Sequence, residues 1–257
     1  MSADANAAFL YRTLAATEAF LLAGAPPQDR GRIKLAAPLH EWARAAIVLP
    51  HDGKAALDEV LAAAHEITGA GARFPALIMP AAEGSCEEER EFAFVYDFAV
   101  QRRSAAILTK PAKLKDAPGV VAGDQAPEAE LIAAASAELA GQGYGEQTWW
   151  AGALASGAVK ALTAQLAGKQ AGMLAAVNHG IEYRLCALFT AQASRGKGVG
   201  RTMMLRFISD AVASGAPVVT AVCAAGGTFG YYLERFGFAQ ALEYDVFTPP
   251  PGFRAPK

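Results

Sequence analysis

A short run of alternating glycine and basic residues is the part of the sequence best suited to binding an anion. Residues 195–200 read RGKGVG, and Arg201 follows them. The first amides of a helix lack intrahelical partners and lie at the positive end of the helix dipole, so a loop entering a helix binds phosphate well. Glycine also removes the side chains that keep a phosphate away from the backbone. The segment therefore predicts a phosphate site at a loop-to-helix turn.

Three phosphate-binding patterns compete for this turn. A P-loop requires GxxxxGK[ST], but no Lys-Ser or Lys-Thr follows the last glycine. A Rossmann fingerprint requires GxGxxG, which Gly196 and Gly198 begin and Arg201 breaks. The pattern R/Q-x-x-G-x-G/A is satisfied in full from Arg195 to Gly200. A nucleotide-binding module of another kind is the remaining alternative.

The elements around the turn follow from periodicity and turn residues. Turn residues separate three strands, which predicts an antiparallel meander before the turn. An amphipathic helix, a strand, a short helix and a last strand are expected after it. The strands before the turn are 161–167, 171–177 and 183–190, and the later elements are 199–214, 217–223, 228–236 and 239–247; helices at 127–139 and 146–156 precede them all.

The earlier half of the chain predicts another mixed set of elements. A proline- and glycine-rich stretch, Thr109–Pro127, predicts a linker, so we expect one region over residues 1–124 and a second domain over residues 125–257. The predicted elements of the first region are helices at 5–22 and 54–68, strands at 42–49 and 74–79, and a long alternating strand at 92–100.

Residues 126–247 resemble the GCN5-related N-acetyltransferase (GNAT) superfamily. Ala187–Thr190 enters the glycine-rich motif, and about 30 residues later YLERFGF (232–238) is similar to the family's late "lYeklGF" element. The resemblance implies an α+β acyl-CoA N-acyltransferase fold in three layers, with a mixed, mostly antiparallel sheet flanked by helices. It also implies an enzyme that transfers the acetyl group of acetyl-CoA to an amine of a small molecule or peptide.

The resemblance assigns the cofactor-binding residues. The strand before the motif is expected to splay from its neighbour at a bulge, so that its exposed backbone pairs with the pantetheine arm. Amides of residues 196–201 are expected to hold the pyrophosphate, and valine at Gly198 or Gly200 is expected to abolish CoA binding while the fold is retained. The assigned residues are Leu188, Phe189, Thr190, Arg195, Gly196, Lys197, Gly198, Val199, Gly200 and Arg201.

The catalytic residues depart from the family's pattern. The position of the family's strand glutamate falls on Arg184, and Glu182 is the nearest candidate base on the same strand face; a surface carboxylate near a turn is the alternative. The slot of the family's tyrosine acid falls on Leu233, so Tyr232 is the candidate acid, or else a packing residue. These departures favour a second hypothesis, a non-catalytic acyl-CoA-binding sensor.

Residues 42–109 look like the C-terminal portion of an acetyltransferase domain without its glycine-rich turn. We therefore expect a degenerate GNAT-like half, with an unrelated α/β module as the alternative. Tyr144, Trp149 and Trp150 are candidates for an acceptor pocket or for core packing.

Bulk composition limits the remaining functions. An apolar content of 53% and a charged content of 19% are typical of a globular protein, and a net charge of −2 argues against a dedicated nucleic-acid binder. The three cysteines form no CxxC pair, so no metal cofactor is expected. With no signal peptide and no membrane-length apolar run, the expected location is cytoplasmic without a membrane partner. Oligomeric state is open, with a homodimer among the options.

Overall fold

The computed structural model describes residues 3–39, 43–52, 57–69, 73–82, 84–140 and 152–254. Elements are numbered in chain order. The helices are α1 Ala3–Ala23, α2 Leu57–Gly69, α3 Glu87–Val95, α4 Ala129–Ala140, α5 Val199–Ala213 and α6 Phe229–Glu234. The strands are β1 Gln28–Arg30, β2 Ile33–Ala36, β3 Ala46–Val48, β4 Ala76–Pro80, β5 Ala99–Leu108, β6 Val120–Gly123, β7 Lys160–Leu166, β8 Lys169–His179, β9 Glu182–Thr190, β10 Val218–Ala224 and β11 Phe238–Thr248.

The chain forms two compact units. The first unit contains residues 1–104 and 242–257, and the second contains residues 105–241. The chain therefore passes between the units inside β5 and again inside β11. This division differs from the predicted boundary at residue 124, because the expected linker contains β6, which pairs with β7. The composition of residues 109–127 indicated an irregular segment, but four of them form β6 at the edge of a sheet.

The first unit is a mixed sheet covered on both faces. Its strand order is β1-β2-β3-β4-β11, in which β3 and β4 are parallel and the other pairs are antiparallel. Helices α2 and α3 share a hydrophobic core with alternate residues of β2, β3 and β4. Helix α1 packs against the same strands but its buried residues belong to no part of that core, which places α1 on the other face.

The second unit repeats this layered arrangement. The meander β7-β8-β9 is antiparallel, as predicted; β6, which was not predicted, adds an antiparallel strand at its edge, and β10 lies parallel to β9. The residues of β5 in this unit lie beside β10. Helices α5 and α6 share the main core with the sheet, while α4 packs against β8. The predicted α+β class, with a mostly antiparallel mixed sheet flanked by helices, is confirmed.

The two units have the same order of elements. In each, an antiparallel strand precedes a strand–helix–strand unit with parallel strands, β3-α2-β4 or β9-α5-β10, and a helix and a long strand follow. In each unit the long strand beside the parallel pair comes from the other half of the chain: β11 lies beside β4, and β5 lies beside β10. This pattern is typical of a duplicated fold whose final strands have been exchanged.

One predicted element is wrong. The alternating segment 92–100 was expected to be a single strand, but residues 87–95 form α3 and only residues 99 onwards are extended. Three glutamates, at 87, 88 and 89, open the helix where its dipole favours negative charge. Glu89, Phe92 and Ala93 are its buried residues, which is helical spacing, and Asp97 adopts a positive φ of 54° after the helix ends.

The other predicted elements that lie in described residues match the structure to within about four residues at each end, whereas β1 and β2 were not predicted. The expected helix at 146–156 lies mostly outside the described residues, of which 152–155 are helical. No helix among the described residues is both long and apolar enough to cross a membrane.

Gly237, between α6 and β11, allows the backbone at residues 109–112 to approach closely. Its φ is +93°, and a Cβ at this position would overlap the carbonyl oxygen of Lys110. Thr109 donates its backbone N–H and its hydroxyl to the Gly237 carbonyl, both at 3.0 Å, and Ala112 donates to the Phe236 carbonyl at 3.1 Å. The glycine therefore fixes the corner at which α6 ends.

Replacing Gly237 by alanine should destabilise the protein strongly. The new Cβ meets backbone that cannot rotate away, so we expect a loss of about 3 kcal/mol or more in the free energy of unfolding. Gly215→Ala is the matched control, since Gly215 also has a positive φ, +70°, but open space around its Cβ position. The control should lose only about 1 kcal/mol. Urea unfolding measures both, and equal losses would contradict this account.

Candidate functional site

The parallel strands β9 and β10 pair at one end and diverge at the other. Their register runs over four pairs, from Glu182 with Val218 to Leu185 with Ala221. Both strands then continue, β9 to Thr190 and β10 to Ala224, without further pairing between these described residues. The gap between residues 186–190 and 222–224 is called the split below. From Ala187 to Thr190, the β9 edge that faces away from β8 has no register partner in β10 among the described residues.

A bulge in β9 lies where the split begins. Ala175 of β8 pairs with Ala187, and Ala176 pairs with Leu185, so Cys186 is the extra residue. A bulge increases twist and bends its strand, which turns β9 away from β10. Beyond it, β9 still pairs with β8 from Ala187 to Thr190. The splayed strand and bulge that the resemblance implied are therefore present in the second unit.

A buried ion pair closes the other end of the split. Glu182 and Arg184 of β9 are 0% and 1% exposed, and two guanidinium nitrogens of Arg184 donate to the two carboxylate oxygens of Glu182 at 2.9 and 3.2 Å. Thr220 of β10 donates its hydroxyl to the same carboxylate. Since Thr220 is the register partner of Arg184, this cluster joins the two strands immediately before they separate.

This arrangement bears on the predicted role of Glu182. Both of its oxygens accept hydrogen bonds, and the side chain lies at the closed end of the split, where water does not reach it. A general base needs an accessible lone pair within hydrogen-bonding distance of the substrate. The geometry therefore favours a structural role for Glu182. His179, its register partner on β8, is half-buried, and burial lowers the pKa of its imidazole.

The glycine turn, residues 195–200, lies between β9 and α5, as predicted. Gly196 and Gly198 have positive φ values of 76° and 82°, and Gly198 is the N-cap of α5 without a side-chain cap. The first amides of α5 are thus left without a capping side chain. A Cβ at Gly196 would meet no atom within 4 Å, so this residue is the open part of the turn.

Gly198 has a different surrounding. A Cβ there would overlap the Cβ of Ala117, a buried residue of the segment before β6. Ala117 also donates its backbone N–H to the hydroxyl of Thr202 in α5, at 3.0 Å. The segment around Ala117 therefore packs against the first turn of α5. This differs from the expectation that a larger residue at Gly198 would leave the fold intact. Sequence reasoning missed Ala117, since nothing in the composition of residues 109–127 indicated such a contact.

The basic residues of the turn have unequal roles. Arg195 donates to the Thr190 carbonyl at 3.1 Å and forms an ion pair with Glu138 of α4, so it holds the turn against its neighbours. Lys197 donates to the Ala193 carbonyl at 2.9 Å on an exposed surface. Arg201 follows in the first turn of α5, close enough to Tyr232 for its charge to lower the tyrosine's pKa.

Gly200 faces the open side of the split. A Cβ there would lie 3.1 Å from the Tyr232 hydroxyl, 3.5 Å from the Thr190 hydroxyl and 3.9 Å from a Leu188 methyl group. Three residues predicted separately from the sequence therefore meet around Gly200. Burial raises the pKa of Tyr232 to about 12, so its hydroxyl keeps its proton near neutral pH. The neighbouring Tyr231 is exposed.

The remaining predicted site residues have simpler positions. Phe189 and Val199 are buried, so only their backbones are available. Tyr144, Trp149 and Trp150 lie outside the described residues. Among the described residues, no group of three or more His, Cys, Asp or Glu side chains has the geometry of a metal site.

Alanine substitutions at the two positive-φ glycines of the turn should differ in their effect on stability. Gly198→Ala should cost about 2 to 4 kcal/mol of stability, because backbone strain adds to overlap with Ala117. Gly196→Ala should cost only about 1 kcal/mol, the strain alone. Thermal and urea unfolding of the two variants measure this difference. A Gly198→Ala variant as stable as Gly196→Ala would mean that the Ala117 contact contributes nothing.

Comparisons with known proteins agree on the fold. A scan of protein families and a search of curated proteins each found no match for this sequence. Among solved structures, a GCN5-related N-acetyltransferase from Kribbella flavida is similar with a TM-score of 0.66 at 16% identity, over 94% of this chain and 96% of that one. A GCN5-related N-acetyltransferase from Sphaerobacter thermophilus is similar with a TM-score of 0.54 at 12% identity, over 96% and 93%. The chain therefore has the GCN5-related N-acetyltransferase fold.

Proposed function

We propose that this protein is an N-acetyltransferase that moves the acetyl group of acetyl-CoA to an amine of a small molecule or peptide. The observation that carries the proposal is the split between β9 and β10, which opens beside the glycine turn at the start of α5. A gap between strands beside a phosphate-binding turn suits a ligand that consists of an extended arm and a diphosphate. The fold, shared with acetyltransferases over nearly the whole chain, supports the same ligand.

The arm of the cofactor would enter the split as an additional strand. Residues 187–190 of β9 use one edge for β8 and offer their other edge to the split. The amide groups of pantetheine would pair with Leu188 and Thr190 there, because backbone groups at a strand edge need partners. The thioester end would then come near the Tyr232 hydroxyl, which lies beside Leu188 and Thr190.

The diphosphate would bind the amides of residues 196–201. Gly196 leaves open space in front of them, and Lys197 and Arg201 add positive charge. The segment that packs against Gly198 contributes as well. Lys113 and Lys115 are exposed on it, four and two residues before Ala117, and are proposed as additional positive charge for the diphosphate.

The reaction would proceed by direct attack. The amine nitrogen forms a bond to the thioester carbonyl carbon, the carbon–sulfur bond breaks, and CoA leaves as a thiolate that takes up a proton. Tyr232, protonated and close to the expected sulfur position, is the proposed donor. The attacking amine loses a proton to a base, for which Glu182 remains the proposal from sequence although its hydrogen bonds oppose it.

The occupied carboxylate of Glu182 supports a second candidate function, a non-catalytic acyl-CoA sensor. A sensor needs the split and the glycine turn but no base. The two functions differ in a single measurement, the release of free thiol from acetyl-CoA across a panel of amines. Release above background favours the enzyme, and binding without release favours the sensor.

The first unit is proposed to be a degenerate copy of the second. It has the same order of elements, but no R/Q-x-x-G-x-G occurs between β3 and α2. In addition, the Tyr11 hydroxyl lies within hydrogen-bonding distance of the carbonyl oxygens of Leu49 and Ile78, at 3.0 and 3.1 Å. These carbonyls stand at the end of the parallel pair β3–β4, and the Ile78 carbonyl also accepts the backbone N–H of Leu49 at 2.9 Å, so the strands are still paired where an acyl-CoA arm would need them to separate.

Acetyl-CoA should therefore bind with a stoichiometry of one per chain. Titration calorimetry measures the stoichiometry directly. Gly200→Val should weaken binding at least tenfold, because its side chain would fill the space between Leu188, Thr190 and Tyr232. Gly215→Ala, remote from the turn, should bind normally. Absence of acetyl-CoA and CoA binding to the wild-type protein would refute the proposal, and a stoichiometry of two would refute the degenerate first unit.

Tyr232→Phe should lower kcat by roughly 10² without a comparable change in the KM for acetyl-CoA, the usual effect of losing one proton donor. The pKa of about 12 predicts that the wild-type rate has no alkaline decline from Tyr232 below about pH 11. The assay is thiol release with the best amine of the panel, from pH 6 to 10. Tyr231→Phe, an exposed neighbour, serves as control. Equal kcat for Tyr232→Phe and wild type would exclude this role.

A further inference from the structure

The segment before β6, residues 109–117, is held against two helices of the second unit. Near its start, Ala112 donates its backbone N–H to the carbonyl of Phe236, just after α6, at 3.1 Å. At its end, Ala117 donates its backbone N–H to the hydroxyl of Thr202, in the first turn of α5, at 3.0 Å. The residues between these two hydrogen bonds therefore cross from the end of α6 to the start of α5.

Two exposed lysines, Lys113 and Lys115, lie on this crossing. Lys113 directly follows Ala112, so its backbone begins beside the end of α6. Because consecutive Cα atoms are about 3.8 Å apart, the Cα of Lys115 lies within about 7.6 Å of the Ala117 Cα. Ala117 in turn contacts Gly198, the N-cap of α5. The backbone of Lys115 therefore lies close to the turn that is proposed to hold the diphosphate.

Two arginines of the helices lie near the same crossing. The Nη2 of Arg201, in α5, is 3.7 Å from the position that a Cβ would take at Gly198. Arg235 directly precedes Phe236 and is the C-cap of α6. Burial raises the pKa of Tyr232, and the charges of both arginines oppose that rise, so both lie near its ring. Each of the two helices that the segment joins thus contributes a guanidinium beside the mouth of the split.

These four cations have no carboxylate to neutralise them. Within the part of the chain that the structure describes, none of them forms an ion pair. Asp116 and Glu234, the carboxylates nearest to them in sequence, are exposed and are not bonded to them. By contrast, Arg195 of the glycine turn is paired with Glu138. A group of unpaired charges of one sign beside an opening attracts a ligand of the opposite sign.

The diphosphate is not the best match for all of this charge. Its proposed partners include the helix amides and Lys197, which lie on the glycine turn itself. A terminal phosphate monoester carries about −1.5 to −2 charges near pH 7 and three acceptor oxygens, so it can bind several Lys and Arg side chains at once. CoA carries such a group, the 3′-phosphate of its ribose, close to its diphosphate.

We propose that Lys113, Lys115, Arg201 and Arg235 make the site selective for acyl donors with a phosphate monoester beyond the diphosphate, namely the 3′-phosphate of CoA. This inference rests on the proposed binding of acetyl-CoA and identifies which further part of the donor is recognised. The amides of α5 hold the diphosphate, and the segment 109–117 carries lysines to the 3′-phosphate beside it. A donor without this phosphate keeps its contacts in the split but leaves the four cations without a partner.

Acetyl-CoA and acetyl-3′-dephospho-CoA are the probes, measured with the full chain by titration calorimetry. They differ only in the monoester, so any contact of the lysines with the diphosphate cancels in the ratio of the two dissociation constants. We expect acetyl-CoA to bind at least about tenfold more tightly near 0.05 M salt, because several individually weak charge contacts act together. The ratio should fall at least about threefold near 0.5 M salt, since added ions screen exposed charges.

Variants at exposed lysines test the location. The double variant Lys113→Gln, Lys115→Gln should reduce the ratio to about threefold or less, because half of the cations are lost. The double variant Lys113→Arg, Lys115→Arg keeps the charge and should keep the ratio. Lys160→Gln is the control, since Lys160 is exposed at the start of β7, in register through Ala176 with Leu185 at the paired end of β9. Its ratio should equal that of the wild type.

The possible outcomes separate this inference from the proposed function. A wild-type ratio near one, with both thioesters bound, would overturn the inference alone. So would a glutamine double variant that keeps the full ratio, an arginine double variant that loses as much as the glutamine one, or a ratio that does not respond to salt. Absence of binding by both thioesters would overturn the proposed function together with the inference.

Discussion

The hydrogen-bonded cluster of Glu182, Arg184 and Thr220 is the interaction on which the proposed site depends. It joins β9 to β10 within the short stretch where the strands pair, and the last pair, Leu185 with Ala221, and the bulge at Cys186 follow it. A buried carboxylate without its partner costs about 3 to 5 kcal/mol, so the cluster is strongly coupled internally. Because the strands are held together on one side of the bulge and bent apart on the other, the width of the split is set by structure and not by a ligand. A preformed opening of this kind spares a ligand the cost of separating the strands.

The three glycines of the turn meet three different structural requirements. Gly196 gives open access to the helix amides, Gly198 makes room for Ala117, and Gly200 keeps Tyr232, Leu188 and Thr190 close together. Only the first of these reasons concerns phosphate directly. The other two concern packing, one toward a segment more than 75 residues earlier in the chain and one toward α6. The glycine spacing is therefore required by packing at this corner of the fold as well as by the proposed phosphate site.

The sequence predicted what depends on local chemistry. The meander, α5, β10 and the turn between β9 and α5 follow from turn residues and periodicity, and the convergence of Leu188, Thr190 and Tyr232 follows from the resemblance. Long-range contacts were not predictable. The α3 segment alternates like a strand, and only the sheet it packs against determines that Glu89, Phe92 and Ala93 are buried together. Glu182, the candidate base, is a second example of a residue whose contacts the sequence does not show. Its position near a turn suggests an exposed carboxylate, but in the structure it is buried and bound by Arg184 and Thr220.

The two units share an order of elements but differ at the carboxyl ends of their parallel strands. Both place a parallel strand pair beside a crossover helix, and in both the carboxyl ends of those strands are the natural place for a ligand. In the second unit, β9 and β10 diverge beyond Leu185, and the Cβ position of Gly196 has no atom within 4 Å. In the first unit the Tyr11 hydroxyl lies at the carbonyls of Leu49 and Ile78, and the Ile78 carbonyl already accepts the backbone N–H of Leu49. Recognition of a ligand by a strand edge requires backbone groups that the protein does not itself satisfy, and at this point of the first unit they are satisfied from within.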